Sequence, residues 1–146
     1  MAPFERVSII GVGLLGGSLA KVMRKIGLAK SIVGYGRNKA DLAEAKRLNI
    51  IDDAAPDIKS ATKDADLIVL CSPVGTIGQL IIEMAPHIQP GCLVTDVGST
   101  KEALVLEVEK LIPDGIFSLE RIPLQEVIYL GFSHPQKHCT KVHIVL

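Results

Sequence analysis

A short apolar run, Val7-Ser8-Ile9-Ile10, passes straight into Gly11-Val12-Gly13-Leu14-Leu15-Gly16-Gly17 and on into Ser18-Leu19-Ala20, where an amphipathic pattern begins. Few arrangements satisfy such a stretch: a buried strand, a tight glycine turn, and a helix entered at its amino end. In that arrangement Gly11 permits the turn, Gly13 leaves bare backbone for a ligand to approach, and Gly16 lets helix and strand pack closely. Free N–H groups and the positive end of the helix dipole then face the ligand, which favours a pyrophosphate. The alternative is a glycine turn that serves packing alone. Beyond Gly16 the apolar residues Leu19, Val22 and Ile26 recur at helical spacing, with Lys21, Arg24 and Lys25 between them.

A chain of 146 residues has room for one domain with a real core and too little for a second of similar size. Enzymes that use such a glycine motif usually need a further domain or subunit to hold the substrate, so the chain reads as half of one. Its 16 basic and 16 acidic residues cancel, and no net field draws it to nucleic acid or an anionic membrane. Cys71, Cys92 and Cys139 are far apart, lack metal-type spacing and leave one over after any pairing, which fits reduced thiols in a cytoplasmic protein. Cys71 and Cys92 lie in or beside apolar runs and read as buried, inert thiols. No charged start leads into a signal-type stretch, and no apolar run approaches the ~18 residues of a membrane span.

Strand and helix patterns alternate to about residue 112. After the first pair, Ser31 to Tyr35 reads as a second strand and Lys39 to Asn49 as a helix capped by Asn38, with Leu42, Ala45 and Leu48 as its buried stripe. Ile50 to Asp53 leads into a polar stretch without a clear pattern. Leu67 to Cys71 is a strand buried on both faces. Thr76 to Ala85 is helical with Ile77, Leu80, Ile81 and Met84 inward, Pro90-Gly91 turns the chain, and Leu93 to Thr95 is another strand. Ser99 to Ile112 is a final helix, Ser99 and Glu102 being spaced as a capping box. Strands without hairpin turns, separated by helices, imply an α/β fold: a doubly wound parallel sheet of the Rossmann dinucleotide-binding type. Ligands in such sheets bind past the carboxyl ends of the strands, which directs attention to the loops Gly11 to Gly17, Ser72 to Gly75 and Asp96 to Lys101.

In a dinucleotide fold the residue ending the second strand, about 20 positions after the glycines, reads the adenosine ribose. Gly36 stands there, followed by Arg37 and Asn38. An acid would bond both ribose hydroxyls and repel a 2′-phosphate; its absence forfeits roughly 1.5–3 kcal/mol of charged hydrogen bonding, and Arg37 adds a cation. The cofactor expected is NADP or NAD, NADP slightly favoured, although Arg37 could instead stack on the adenine or point into water. Ser72, Pro73 and Val74 follow the most apolar strand and are placed to contact the nicotinamide half through backbone, or to serve only as a strand-to-helix turn. Asp96-Val97-Gly98-Ser99-Thr100-Lys101 sets a close-approach glycine, a hydroxyl and an amine at a helix start facing the cleft. Read structurally, Ser99 is only an N-cap, Asp96 a turn residue and Lys101 solvated.

The motifs G-V-G-L-L-G-G-S, G-Y-G-R-N, D-L-I-V-L-C-S-P-V and D-V-G-S-T-K, in order from Val7 to about Gly115, resemble the nucleotide-binding domain of prephenate and arogenate dehydrogenases. The resemblance implies residues 1–115 as an NAD(P)-binding domain with Gly11, Val12, Gly13, Leu14, Leu15, Gly16, Gly36, Arg37, Asn38, Ser72, Pro73, Val74 and Ser99 at the cofactor. It implies an oxidative decarboxylation in tyrosine biosynthesis: hydride passes from the carbon bearing the ring hydroxyl to the nicotinamide, and the ring carboxylate leaves as CO2. The serine matching Ser99 would bond the substrate hydroxyl and a catalytic histidine. That histidine belongs to a G-x-H-P-I-A-G motif which this chain does not show.

Past Gly115 the text no longer follows the family, and residues 116–146 are expected to be an irregular tail. Codons GAG CGC ATC CCA TTG CAG GAA GTG encode Glu120 to Val127; the same bases in a neighbouring frame read GCG CAT CCC ATT GCA GGA AGT, which spells Ala-His-Pro-Ile-Ala-Gly-Ser. A one-base shift near Ile116 would thus account for the missing motif and for a stop at Leu146. Val127 to Leu130 or Val142 to Val145 could still form a strand. His134 with Pro135 lies too far downstream to replace the motif, His138, Cys139 and His143 have no settled metal geometry, and His87 reads as structural. The expected protein binds a dinucleotide, turns over no substrate without a substrate domain, and exposes apolar surface open to aggregation or homo-oligomer formation. Two competing readings are a non-catalytic NAD(P)-binding module and another reductase of the 6-phosphogluconate dehydrogenase-like superfamily.

Overall fold

Strand β1 (Phe4–Ile10) is the axis of the molecule, flanked in parallel by β2 (Ala29–Tyr35) and β4 (Leu67–Leu70), so that Ile10 lies between Tyr35 and Leu70. The structure, a computed structural model, describes residues 4–97, 117–120 and 142–145. With β3 (Asp53–Ala54), β5 (Leu93–Asp96), β6 (Phe117–Glu120) and β7 (Val142–Val145), the strands form one parallel sheet in the order β3-β2-β1-β4-β5-β7-β6. The order reverses between β1 and β4, which opens a crevice at their carboxyl ends.

Alternation along the strands divides the core. Val7, Ile9, Leu67 and Val69 face helices α1 (Leu14–Lys25) and α2 (Lys39–Arg47), meeting Ala20, Met23, Leu42 and Ala45. Ile10, Ile68 and Leu70 face α3 (Ile58–Thr62) and α4 (Val74–Met84), meeting Ala61, Ile77, Ile81 and Met84. Each large aliphatic side chain buried in this way contributes roughly 1.5–3 kcal/mol. Ser8, buried in β1, donates its hydroxyl to the Ala61 carbonyl, so no polar orphan is left there.

Helix α1 departs from its sequence pattern. Its buried residues are Gly16, Gly17, Ala20 and Met23, while Val22 is 50% and Ile26 45% exposed. The helix is turned so that Gly16, Gly17, Ala20 and Met23 meet the sheet, with Leu19 packed beside them and Val22 and Ile26 toward solvent. Asn38 caps α2 as expected, its side-chain oxygen accepting from the N–H groups of Ala40 at 3.0 Å and Asp41 at 3.4 Å. That helix ends at Arg47, so Leu48 falls outside the buried stripe at 49% exposed, and Ile50 and Ile51 fill the core in its place. Helix α4 begins at Val74, directly after Pro73, two residues before the expected start. The unpatterned stretch after Ile51 holds the two-residue β3 and the five-residue α3, the latter capped by Asp57 accepting from the Ser60 N–H at 2.7 Å.

Two segments of the tail expected to be irregular are strands: β7 pairs with β5, and β6 with β7. An open β5 edge carries unpaired backbone donors and acceptors that recruit short extended segments. Val142–Val145 is one of the two placements left open by sequence; residues 127–130 lie outside the described residues, as do the expected helix from Ser99 to Ile112, His134, His138 and Cys139.

Polar clasps gather at the amino ends of the strands. Asp66 accepts from the backbone N–H groups of Glu5 at 2.8 Å and Arg6 at 2.9 Å, and Gln89 donates to the Ala65 carbonyl at 3.0 Å. Arg24, in the last turn of α1, pairs with Asp52 at 2.9 Å, and Asp52 also accepts from the Ile32 N–H at 2.7 Å.

Candidate cofactor cleft

The turn from β1 into α1 is built from close backbone contacts. Gly11 has φ +101 and donates its N–H to the Tyr35 carbonyl at 2.7 Å, and a Cβ there would stand 2.8 Å from the Cys71 carbonyl oxygen. A Cβ on Gly16 would collide with the carbonyl oxygen of Gly11. Gly13 differs: a Cβ there would meet nothing within 4 Å. It is the N-cap of α1 and offers no side chain to the first-turn N–H groups, which have no side-chain cap. A bare backbone concavity at a helix amino end is the cradle a phosphate requires, so the residues present fit a dinucleotide.

From this cradle a cleft of about 460 Å³ runs outward between two walls. One wall is the β2–α2 turn with Tyr35, Gly36, Arg37, Asn38 and Asp41; the other is the β4–α4 turn and α4 itself, with Ser72, Pro73, Thr76, Leu80 and Glu83. Of the residues expected at the cofactor, Gly11, Val12, Gly13, Gly36, Arg37, Asn38, Ser72 and Pro73 line this cleft. Leu14 and Leu15 sit at the exposed start of α1, Gly16 packs beneath the turn, and Val74 opens α4; none of these lines it. Ser99 lies outside the described residues, together with Gly98, Thr100 and Lys101. Asp96 is placed at the carboxyl end of β5, 6% exposed.

Sequence reasoning missed Ile10, Tyr35, Asp41, Leu42, Cys71, Thr76, Leu80 and Glu83 as lining residues. The signal was present for some of them. Thr76, Leu80 and Glu83 are spaced i, i+4, i+7 and share a helix face, one step round from the buried Ile77, Ile81 and Met84. Leu80, read as core, packs against the Ile77–Ile81 cluster and also borders the cleft.

The charges at the β2–α2 end of the cleft are unevenly committed. Lys39 is turned away, its Nζ 5.9 Å from the Tyr35 ring centroid and 3.5 Å from the Pro56 carbonyl oxygen. Arg37 is exposed at the cleft wall. Gly36 has room to spare, since a Cβ there would come no nearer than 3.8 Å to any heavy atom. Burial, with the Asp96 carboxylate nearby, pushes the Cys71 thiol up to about 12, and burial raises Cys92 as well, with Asp66 adding to it. Neither is a thiolate at neutral pH. Among the described residues no three His, Cys, Asp or Glu side chains group as a metal site, and no helix is long and apolar enough to cross a membrane.

Comparison with known proteins agrees with this fold. The family described as the nucleotide-binding domain of prephenate dehydrogenase matches residues 19–118. A cyclohexadienyl dehydrogenase of Zymomonas mobilis is 30% identical over 116 residues, covering 80% of this chain and 40% of the relative. A prephenate dehydrogenase of Bacillus subtilis is 32% identical over 110 residues, covering 75% and 30%. The chain thus spans well under half the length of these relatives. The crystal structure of prephenate dehydrogenase from A. aeolicus in complex with hydroxyphenyl propionate and NAD+ superposes with a TM-score of 0.67 at 34% identity, covering 73% of this chain and 38% of that one.

Proposed function

This chain belongs to the prephenate dehydrogenase family through its nucleotide-binding domain, and from that premise we propose that its cleft holds the dinucleotide of a prephenate or arogenate dehydrogenase, NADP in preference to NAD. The observation that carries this reading is the open cradle at Gly13, bounded by backbone contacts at Gly11 and Gly16 that exclude side chains. The first-turn amides of α1 hold the pyrophosphate, and Arg37 takes the 2′-phosphate beside a Gly36 that presents no competing carboxylate. Ser72 and Pro73 border the nicotinamide half. The bound nicotinamide supplies the hydride acceptor for an oxidative decarboxylation. Ser99 is assigned to the substrate hydroxyl.

Catalysis also needs a histidine to polarise that hydroxyl and a cationic pocket for two carboxylates. The histidine motif is recoverable from a neighbouring reading frame across Glu120 to Val127, so a one-base shift near Ile116 belongs to this proposal. Binding without turnover is then the expected behaviour of this chain, in a cytoplasmic setting consistent with Cys71 and Cys92 as free thiols. Calorimetry with NADP+ and NAD+, beside an assay for reduced cofactor with prephenate and with arogenate, tests it: saturable 1:1 binding, tighter for NADP+, with no reduction supports the reading. Absence of binding would reject the cleft as a dinucleotide site. Sequencing the encoding DNA tests the shift independently, which fails if the actual codons restore no His-Pro-Ile-Ala-Gly in another frame.

A further inference from the structure

Helix α1 carries an apolar seam in addition to the face that meets the sheet. Leu15, Leu19, Val22 and Ile26, the last at the C-cap, alternate at spacings of four, three and four, the pattern of a coiled-coil a/d seam. Leu19 packs partly on the core, but Leu15 is 56%, Val22 50% and Ile26 45% exposed. Gly16, Ala20 and Met23 fasten the helix along a neighbouring stripe, so the seam is not needed to hold α1 in place. Apolar side chains grouped on one exposed face and bordered by charge mark a protein contact, which scattered ones do not.

The charges beside the seam have one sign. Lys21 and Lys25 are exposed, stand one turn apart and, among the described residues, form no ion pair or hydrogen bond, whereas Arg24 is held by Asp52 at 2.9 Å. Helix α1 contains no acidic residue. From this charge pattern we propose that the face docks an amphipathic helix of another polypeptide, one that sets apolar residues into the seam and Asp or Glu residues beside Lys21 and Lys25. A second copy of α1 would bring lysine against lysine. An anionic membrane is the poorer fit, because the 16 basic and 16 acidic residues of the chain cancel and leave no field toward a charged surface. None of these seam residues or lysines lines the cleft, so the inference is independent of the dinucleotide reading.

The test uses the full chain and two synthetic peptides about three heptads long, both with Leu at a and d, one with Glu and the other with Lys at e and g. Fluorescence anisotropy at low salt should show the acidic peptide binding at least about tenfold more tightly than the basic one, since attraction on one side is set against repulsion on the other. Val22→Gln with Ile26→Gln should abolish binding of both peptides. Lys21→Glu with Lys25→Glu should reverse the preference, a gain of basic-peptide binding that misfolding cannot produce. No binding, or equal binding of the two peptides by the wild type, overturns the proposal. So does a dimer in sedimentation that the Val22→Gln, Ile26→Gln variant dissolves, or co-flotation with phosphatidylglycerol vesicles that the lysine reversal removes, because each assigns the seam to a different occupant. Val22 and Ile26 are exposed, and melting curves matching the wild type separate lost docking from lost folding.

Discussion

The carbonyl oxygen of Gly11 occupies the position where a side chain on Gly16 would begin, so strand end and helix start meet backbone to backbone. Gly16→Ala must push them apart. Overpacking of this kind costs roughly 1–3 kcal/mol and should lower Tm by about 5 °C or more. Gly13→Ala is the contrasting case, because its Cβ meets nothing within 4 Å. It should melt like the wild type yet lose at least about tenfold in dinucleotide affinity, since the methyl group enters the phosphate cradle. A Gly13→Ala protein that binds normally would place the phosphates elsewhere.

Gly36→Asp should reverse cofactor preference. The position is unstrained and open, so the new carboxylate can reach ribose hydroxyls without displacing its neighbours. NADP+ affinity should fall by about 100-fold and NAD+ affinity rise by up to about tenfold, in line with two charged hydrogen bonds gained and a like-charge contact introduced. Arg37→Ala should remove the NADP+ preference without creating an NAD+ one. Both outcomes are read as the ratio of the two dissociation constants.

Acid should weaken the fold partly through Asp52. Burial alone would raise its carboxyl, but hydrogen bonds from Arg24 and the Ile32 N–H, with the Arg24 charge, outweigh that and hold it below its ordinary value of 3.8. A depressed folded value gives stabilisation that is fully present above the unfolded value and lost as pH falls through the folded one. Both partners are about two-fifths exposed, so the amount is under about 1 kcal/mol. Asp52→Asn should flatten the melting profile below about pH 4 and leave dinucleotide binding unchanged.

Cys71 should resist alkylation although it borders the cleft. A thiol held at about 12 is thiolate in only about one molecule in ten thousand at pH 8. Iodoacetamide labelling of the folded chain should leave Cys71 unmodified on a timescale that labels it fully in denaturant, as read by peptide mass. Rapid labelling of the native protein would mean that Cys71 is less shielded than its burial implies.

The parallel architecture and the glycine turn were legible because each leaves a local signature: unbroken apolar strands, glycines at fixed offsets, and Asn38 ahead of α2. The orientation of α1 was not. Spacing singled out Leu19, Val22 and Ile26, of which Leu19 does pack on the core; the contact between Gly16 and Gly11 fixes the helix rotation, Ala20 and Met23 follow Gly16 inward, and Val22 and Ile26 are left exposed. Elements as short as β3 and α3 carry too few residues to establish a period, and packing alone decides them. Leu80 shows the same limit at the site: its spacing marks it as inward, and it does pack on the core, but nothing in sequence signals that it also borders the cleft.

The clasps made by Asp66, Gln89 and the Arg24–Asp52 pair stand at the opposite end of the sheet from the Gly13 cradle. Fastening and cleft thus stand at opposite poles of one scaffold. A substitution at the clasped pole is therefore expected to leave the mouth of the cleft unaltered, and a substitution at Gly36 need not disturb the fastenings that hold the strands in register.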